Sequence, residues 1–270
     1  VPHHAEHIAR GGICVIVVVA VAFTTGALVH AIFTDWTGGW LLESVIVSTL
    51  FATRSLYEHV QAVAVGLESG LAAGRRAVSH IVGRDPQALD EEAIARAAIE
   101  STAENFSDGV VAPVFWYVVG GLPGLCAYKA INTMDSMLGH RNSQFELFGK
   151  CAARLDDAVN WLPARLSAVM LCAAAAIVPQ ARSGAAVRAV SSDARRHRSP
   201  NAGWPEAAMA GALGLALAGP RYDGELIEDA WMGDGRSRVN ADDIRQSLRL
   251  YVSACWLTGL SALLVTGLVG

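Results

Sequence analysis

The chain has 270 residues, 53% of them hydrophobic and 17% charged, with a formal net charge of −4. A water-soluble domain carries about 25% charged residues, so this composition leaves too little polar side chain to cover a globule in water and points to a membrane protein. The slight acidity and the lack of a long Lys/Arg run exclude a nucleic-acid binder, and five scattered cysteines without a CxxC pair exclude a disulfide-stapled secreted domain.

Residues 12–33 contain no Asp, Glu, Lys or Arg. At 1.5 Å per residue they span about 30 Å, the thickness of a bilayer core, which predicts a first membrane helix. Asp85-Pro86 supplies a cap, and the stretch from Asp90 to Asn105 reads as a helix. Residues 110–131 form a second apolar segment, but Gly120, Gly121, Pro123 and Gly124 interrupt it and predict a broken or re-entrant helix. A third, slanted span is expected at 162–180. Asn240 with Asp243 resembles a capping box that opens the helix leading into the last span, 251–269. The expectation is therefore one all-α domain over 1–270, a polytopic integral membrane helical bundle with about four membrane segments and amphipathic cytoplasmic helices. Arg54, Arg75, Arg76, Arg84, Arg96 and the arginines of 182–250 place their stretches on the cytoplasmic side by the positive-inside rule.

The scarce charge is clustered. In ESTAENFSDG, Glu100, Glu104 and Asp108 recur every four residues and form an acidic stripe with Asn105 alongside. Carboxylates leading into an apolar segment are costly unless a hard cation such as Mg²⁺, or arginine partners, neutralise them. Glu100, Glu104, Asn105 and Asp108 are the candidate ligands of such a cation. In YKAINTMDSMLGHR, Lys129, Asn132 and Ser136 share a helical face, with Asp135 pointing elsewhere; they suit a phosphate or carboxylate of a substrate, and Arg141 adds a further cation. A snorkelling lysine is the simpler reading of Lys129. In CAARLDDAVNWLPAR, Arg154 is spaced to pair with Asp157, and Asp156 with Asn160. In DARRHRSPNAGWPE, Arg195, Arg196 and Arg198 precede Ser199, Asn201 and a helix opened by Pro205-Glu206, an arrangement suited to an anion. Neither a P-loop nor an HExxH or GxSxG motif occurs.

ESTAENFSDGVVAP, YKAINTMDSMLGHR, FGKCAARLDDAVNWLPAR and SPNAGWPEAAMAGALG, in that order between about Arg54 and the C-terminus, closely resemble the CobD/CbiB family of cobalamin-biosynthesis membrane proteins, the adenosylcobinamide-phosphate synthases. The resemblance implies a multi-pass ligase of the cell (inner) membrane. It would join (R)-1-amino-2-propanol, or its phosphate, to the propionate carboxyl of adenosylcobyric acid, using ATP and Mg²⁺. The bilayer and other membrane enzymes of cobalamin assembly are the implied partners. Glu104, Asp108, Asp135 and Asp156 are then the candidate catalytic carboxylates. Lys129, Asn132, Ser136, Arg141, Arg154, Asn160, Arg198, Ser199, Asn201 and Glu206 are the candidate substrate and phosphate contacts. Family members usually begin with an extra apolar segment bearing Gly-Asp-Pro and His-Pro motifs, so an N-terminally incomplete chain is expected. The alternative is a non-catalytic membrane sensor or transport component on the same scaffold.

Overall fold

The computed structural model describes residues 2–83, 85–138, 149–223 and 225–269. The described helices are α1 (Pro2–Thr34), α2 (Gly39–Thr49), α3 (Thr53–Glu68), α4 (Leu71–Val78), α5 (Glu91–Phe106), α6 (Ala112–Leu138), α7 (Lys150–Val159), α8 (Trp161–Ala174), α9 (Ser183–Asp193), α10 (Gly203–Leu213) and α11 (Ala241–Val269). Among the described residues, three stretches are long and apolar enough to cross a bilayer: Ala9–Thr34, Glu91–Met137 and Ala241–Leu268. They contain the spans expected at 12–33 and 110–131 and all but the last residue of that expected at 251–269, and the protein is a polytopic helical membrane protein.

In place of the fourth expected span, 162–180, stands a shorter apolar helix. Helix α8 has 14 residues, about 21 Å of rise, against the roughly 30 Å of a bilayer core. Its Ala164, Ser167, Ala168, Leu171 and Ala174 face is buried in protein. The chain then leaves the helix through tight turns to Pro179 and to Gln180, whose φ is 68°. The small residues of that face serve close packing, while Trp161, Leu162 and Val169 of the same helix are exposed, a division that a hydropathy pattern does not reveal.

The chain folds into two compact units, residues up to 51 with 112–162, and residues 52–111 with 163–268. In the first, α1 lies against α6. A Cβ at Gly26 would stand 2.8 Å from the Pro123 Cα and 3.0 Å from the Leu122 carbonyl oxygen, so only a bare backbone fits. The helix break expected at the glycines occurs at Gly121, where φ is 60° and ψ −157°, a region open to glycine alone. Val15, Ile131, Met134 and Ala152 form one core patch of this unit, and Val47, Leu122 and Leu125 another. Gly26→Val forces the backbone apart, and a destabilisation of about 1–3 kcal/mol is expected, read as a lower thermal unfolding midpoint in reconstituted membranes.

The second unit is built on a core that includes Val60, Ile94, Ile99, Phe106, Leu171, Met209, Leu248 and Tyr251. Its helix ends follow local chemistry. Asp90 caps α5 by accepting a hydrogen bond from the Ala93 amide at 2.7 Å. At the start of α11 the Asn240 side chain accepts from the Asp242 amide at 2.9 Å, while Asp243 accepts from the Asn240 amide at 2.9 Å, the reciprocal capping pair the sequence predicts. Two short antiparallel ladders lie between α10 and α11: β1 (Leu217–Ala218) pairs with β4 (Trp231–Met232), and β2 (Arg221–Asp223) with β3 (Glu225–Ile227).

Between α5 and α6 the helix widens into a π turn, Ser107–Val111, that the sequence pattern does not announce. Its cause is Pro113. A proline ring collides with the carbonyl four residues back, here Gly109, and offers it no N–H. The Gly109 carbonyl instead accepts from the Ala52 amide at 3.3 Å, with only 3.4 Å between the Ala52 Cβ and where a side chain on Gly109 would begin.

Candidate functional site

In the first unit, polar side chains of α6 and α7 meet in the interior. Asn160, one helical turn after Asp156, donates from Nδ2 to Asp156 Oδ2 at 2.9 Å and accepts at Oδ1 from the Tyr128 hydroxyl at 3.0 Å. Tyr128 and Asn160 are each 1% exposed, and Asp156 is buried. Trp116 pins the end of α7 by donating from Nε1 to the Val159 carbonyl at 3.2 Å. The remaining carboxylate oxygen of Asp156, Oδ1, is buried and accepts no hydrogen bond from the described residues.

This setting changes the chemistry of Asp156. Burial, and then the neighbouring Asp135 charge, push its carboxyl up to about 6, while the Asn160 and Asn132 amides favour the charged form and oppose the rise. Asp157 adds a smaller upward push. The result is a carboxylate poised to exchange a proton near neutrality. Asp157 is itself raised by burial, with Arg154 close enough to oppose that shift.

The arrangement on α6 corrects the helical-face expectation. Asp135 does not point away from Asn132; both act on Asp156, as residues three apart on one face do. Ser136 is the residue that turns outward, exposed and donating to the Asn132 carbonyl at 2.9 Å. Lys129 is half-buried on α6 beside Tyr128. Arg141 lies outside the described residues.

The acidic stripe belongs to the second unit. Glu100 Oε1 accepts from the Ala218 amide at 2.9 Å and so anchors β1. Asn105 donates to the Ser101 carbonyl at 2.9 Å. Glu104 is exposed at the end of α5, and Asp108 is half-buried in the π turn. Among the described residues no three His, Cys, Asp or Glu side chains group as metal ligands. One or two carboxylates are what Mg²⁺ takes from a protein when substrate phosphates and water complete its shell.

The loop before α10 is held together from within. The His197 ring nitrogen Nδ1 accepts from the Ser199 amide at 3.0 Å, which turns Nε2 toward Glu206 Oε1, 3.7 Å away. Both side chains are buried, His197 at 8% and Glu206 at 3% exposure. The Ser199 hydroxyl accepts from the Asn201 and Ala202 amides at 3.3 and 3.2 Å, and Asn201 is buried. Arg198 faces Asp229 at 3.9 Å, and Asp193 accepts from the Gly233 amide at 3.0 Å. Ser199, Asn201 and Glu206 thus shape the loop. The Arg165 guanidinium stacks 4.4 Å over the Trp204 ring, and burial and the nearby positive charge of Arg195 lower its pKa.

Arg165, Trp204 and Tyr128 carry weight that residue spacing did not reveal. An arginine one turn into an apolar helix was the signal for the first. A further buried contact joins Glu43 to His30 Nδ1 at 2.9 Å and to the Tyr117 hydroxyl at 3.2 Å in the first unit. Its signal was a lone carboxylate inside WLLESVIV.

A model of the CobD/Cbib protein family matches residues 2–251. The curated relatives include the Cobalamin biosynthesis protein CobD of Brucella anthropi, 55% identical over 241 residues that make up 87% of this chain and 74% of the relative. The protein of that name from Brucella suis is 50% identical over 258 residues, 93% of this chain and 78% of the relative. That of Rhodobacter capsulatus is 46% identical over 265 residues, 94% and 80% of the two chains. No solved structure matches the chain. With a family match across nearly its whole length and relatives this similar, the chain belongs to the CobD/Cbib family.

Proposed function

We propose that the protein is an enzyme of cobalamin biosynthesis in the cell (inner) membrane, and that it forms the amide bond between the propionate carboxyl of adenosylcobyric acid and (R)-1-amino-2-propanol or its phosphate. The family membership and the names of the relatives support the pathway. The observation that carries the reaction type is Asp156, a buried carboxylate beside Asp135 whose pKa is pushed up to about 6.

Amide formation requires an activated carboxyl and an amine that loses its proton as it attacks. ATP with Mg²⁺ would convert the carboxyl to an acyl phosphate with release of ADP, the amine would displace inorganic phosphate as the C–N bond forms, and Glu104 and Asp108 are the residues that would hold the cation. Asp156 accepts the amine proton. A base titrating near 6 retains its charge at neutral pH and is basic enough to take a proton as the C–N bond forms. Asp135 raises that basicity by repulsion, and the Asn132 and Asn160 amides orient the carboxylate. Lys129 in the first unit, and Arg165 and Arg195 in the second, are the cations suited to phosphate oxygens. Arg165 is held in place by its stacking on Trp204.

The test is an assay on membranes containing the full-length protein with adenosylcobyric acid, aminopropanol phosphate, ATP and Mg²⁺. Cobinamide phosphate is the expected product, and its formation requires ATP. A folded, membrane-inserted protein that yields no product overturns the ligase reading in favour of a non-catalytic sensor or transport role.

A further inference from the structure

In the second unit, α3, the turn after α8 and α11 enclose a groove of about 620 Å³. Its walls are apolar along Ile177, Leu248 and Val252, and polar groups line it at Tyr57, Gln61 and Arg249. The charge in this groove is one-sided. Arg245 also lines it but is tied to Asp242 at 3.0 Å and ion-paired with Glu68, whereas the exposed Arg249 guanidinium has no ion pair or side-chain hydrogen bond among the described residues. Among the described residues no carboxylate lines the groove.

The position of the groove along α11 identifies its depth in the membrane. The helix is charged from Asp242 to Arg249 and carries no charge from Tyr251 to its end. Arg249 therefore stands at the level where the hydrocarbon begins, with Tyr57 as the amphipathic ring typical of that level. Ile177 is 65% exposed and Val252 38% exposed, so the apolar walls open outward. An unpaired cation at the headgroup level above an apolar trough complements a molecule with an anionic head and an alkyl tail.

We propose that this groove binds one anionic phospholipid, with its phosphate on Arg249, its polar head within reach of Tyr57 and Gln61, and an acyl chain along Ile177, Leu248 and Val252. The binding is independent of the amide-forming reaction. It would fasten α11 to α3 and to the turn after α8 through a lipid that is part of the folded protein.

Native mass spectrometry of the full chain released from mixed bilayers tests this. Dioleoylphosphatidylglycerol should be retained over dioleoylphosphatidylcholine by about fivefold, the free-energy scale of one basic residue at an anionic surface. Arg249→Gln should erase that preference, and Arg249→Lys should keep most of it. Val252→Trp, which fills the trough without touching charge, should lower retention of the phosphatidylglycerol. Equal retention of the two lipids, or a preference that survives Arg249→Gln, overturns the proposal. So does displacement of the lipid by inorganic phosphate at equal concentration, since that outcome makes the site one for a free anion with no contribution from the acyl chain.

Discussion

Asp156→Asn should lower the rate of amide formation by about 10²- to 10⁴-fold, the usual contribution of a positioned general base, and should at the same time make the folded protein more stable at neutral pH. The second effect follows from the sign of the pKa change. Asp156 titrates at about 6 in the folded chain, above the ordinary carboxylate range, so folding favours its protonated form. Its contribution to stability is complete below the ordinary carboxylate pKa and is lost as pH rises through about 6. At pH 7 to 8 the charged side chain costs roughly 3 kcal/mol, which a neutral amide of the same shape removes. Thermal unfolding of the reconstituted wild type and variant should coincide near pH 4 and separate as pH rises to 7. The wild-type pH–rate profile should fall on its acid side near pH 6. Asp135→Asn, by removing the neighbouring charge, should shift that limb to lower pH. An active Asp156→Asn protein excludes Asp156 as the base, and one less stable than wild type at pH 7 contradicts the raised pKa on which that role depends.

The double variant Glu104→Ala, Asp108→Ala should lose amide formation by more than about 10²-fold, while remaining folded and inserted in the membrane. Metal-held phosphoryl oxygens account for several kcal/mol of transition-state stabilisation, and each 1.36 kcal/mol is a factor of ten. Glu104 is exposed and Asp108 half-buried, so neither substitution opens a cavity in the core. The conservative Glu104→Gln variant separates the metal role from a general electrostatic one: its activity should recover as Mg²⁺ is raised, with ATP held saturating. Full activity in the double variant excludes both residues as metal ligands and leaves the acidic end of α5 as a solvated surface.

Much of the framework was legible in one dimension. The uncharged runs at 12–33 and 251–269 have the length a bilayer demands, and hydrogen-bond satisfaction in lipid leaves a helix as the form such a run takes. The caps at Asp90 and at Asn240 with Asp243 are local chemistry, decided within three residues. So is the break at Gly121, since no other residue type adopts its dihedral angles without strain. The pairing of Asp156 with Asn160 is likewise a one-turn contact on a single helix.

What sequence alone determined about this protein was therefore its compartment, its helical class, its family motifs and the contacts that act within a turn. The tertiary structure decided the rest, because each deciding contact joins residues far apart in the chain. Apolar content cannot say which residues of α8 face protein, and folding buries Ala164, Ser167, Ala168, Leu171 and Ala174 while leaving Trp161, Leu162 and Val169 exposed. Glu100 of the carboxylate stripe is taken by an amide 118 residues away, Glu104 is exposed and Asp108 is half-buried in the π turn. Asp156 acquires its raised pKa from burial and from Asp135 on another helix. A carboxylate's identity is written in the sequence, but its proton affinity depends on the low-dielectric surroundings and charges that folding brings to it.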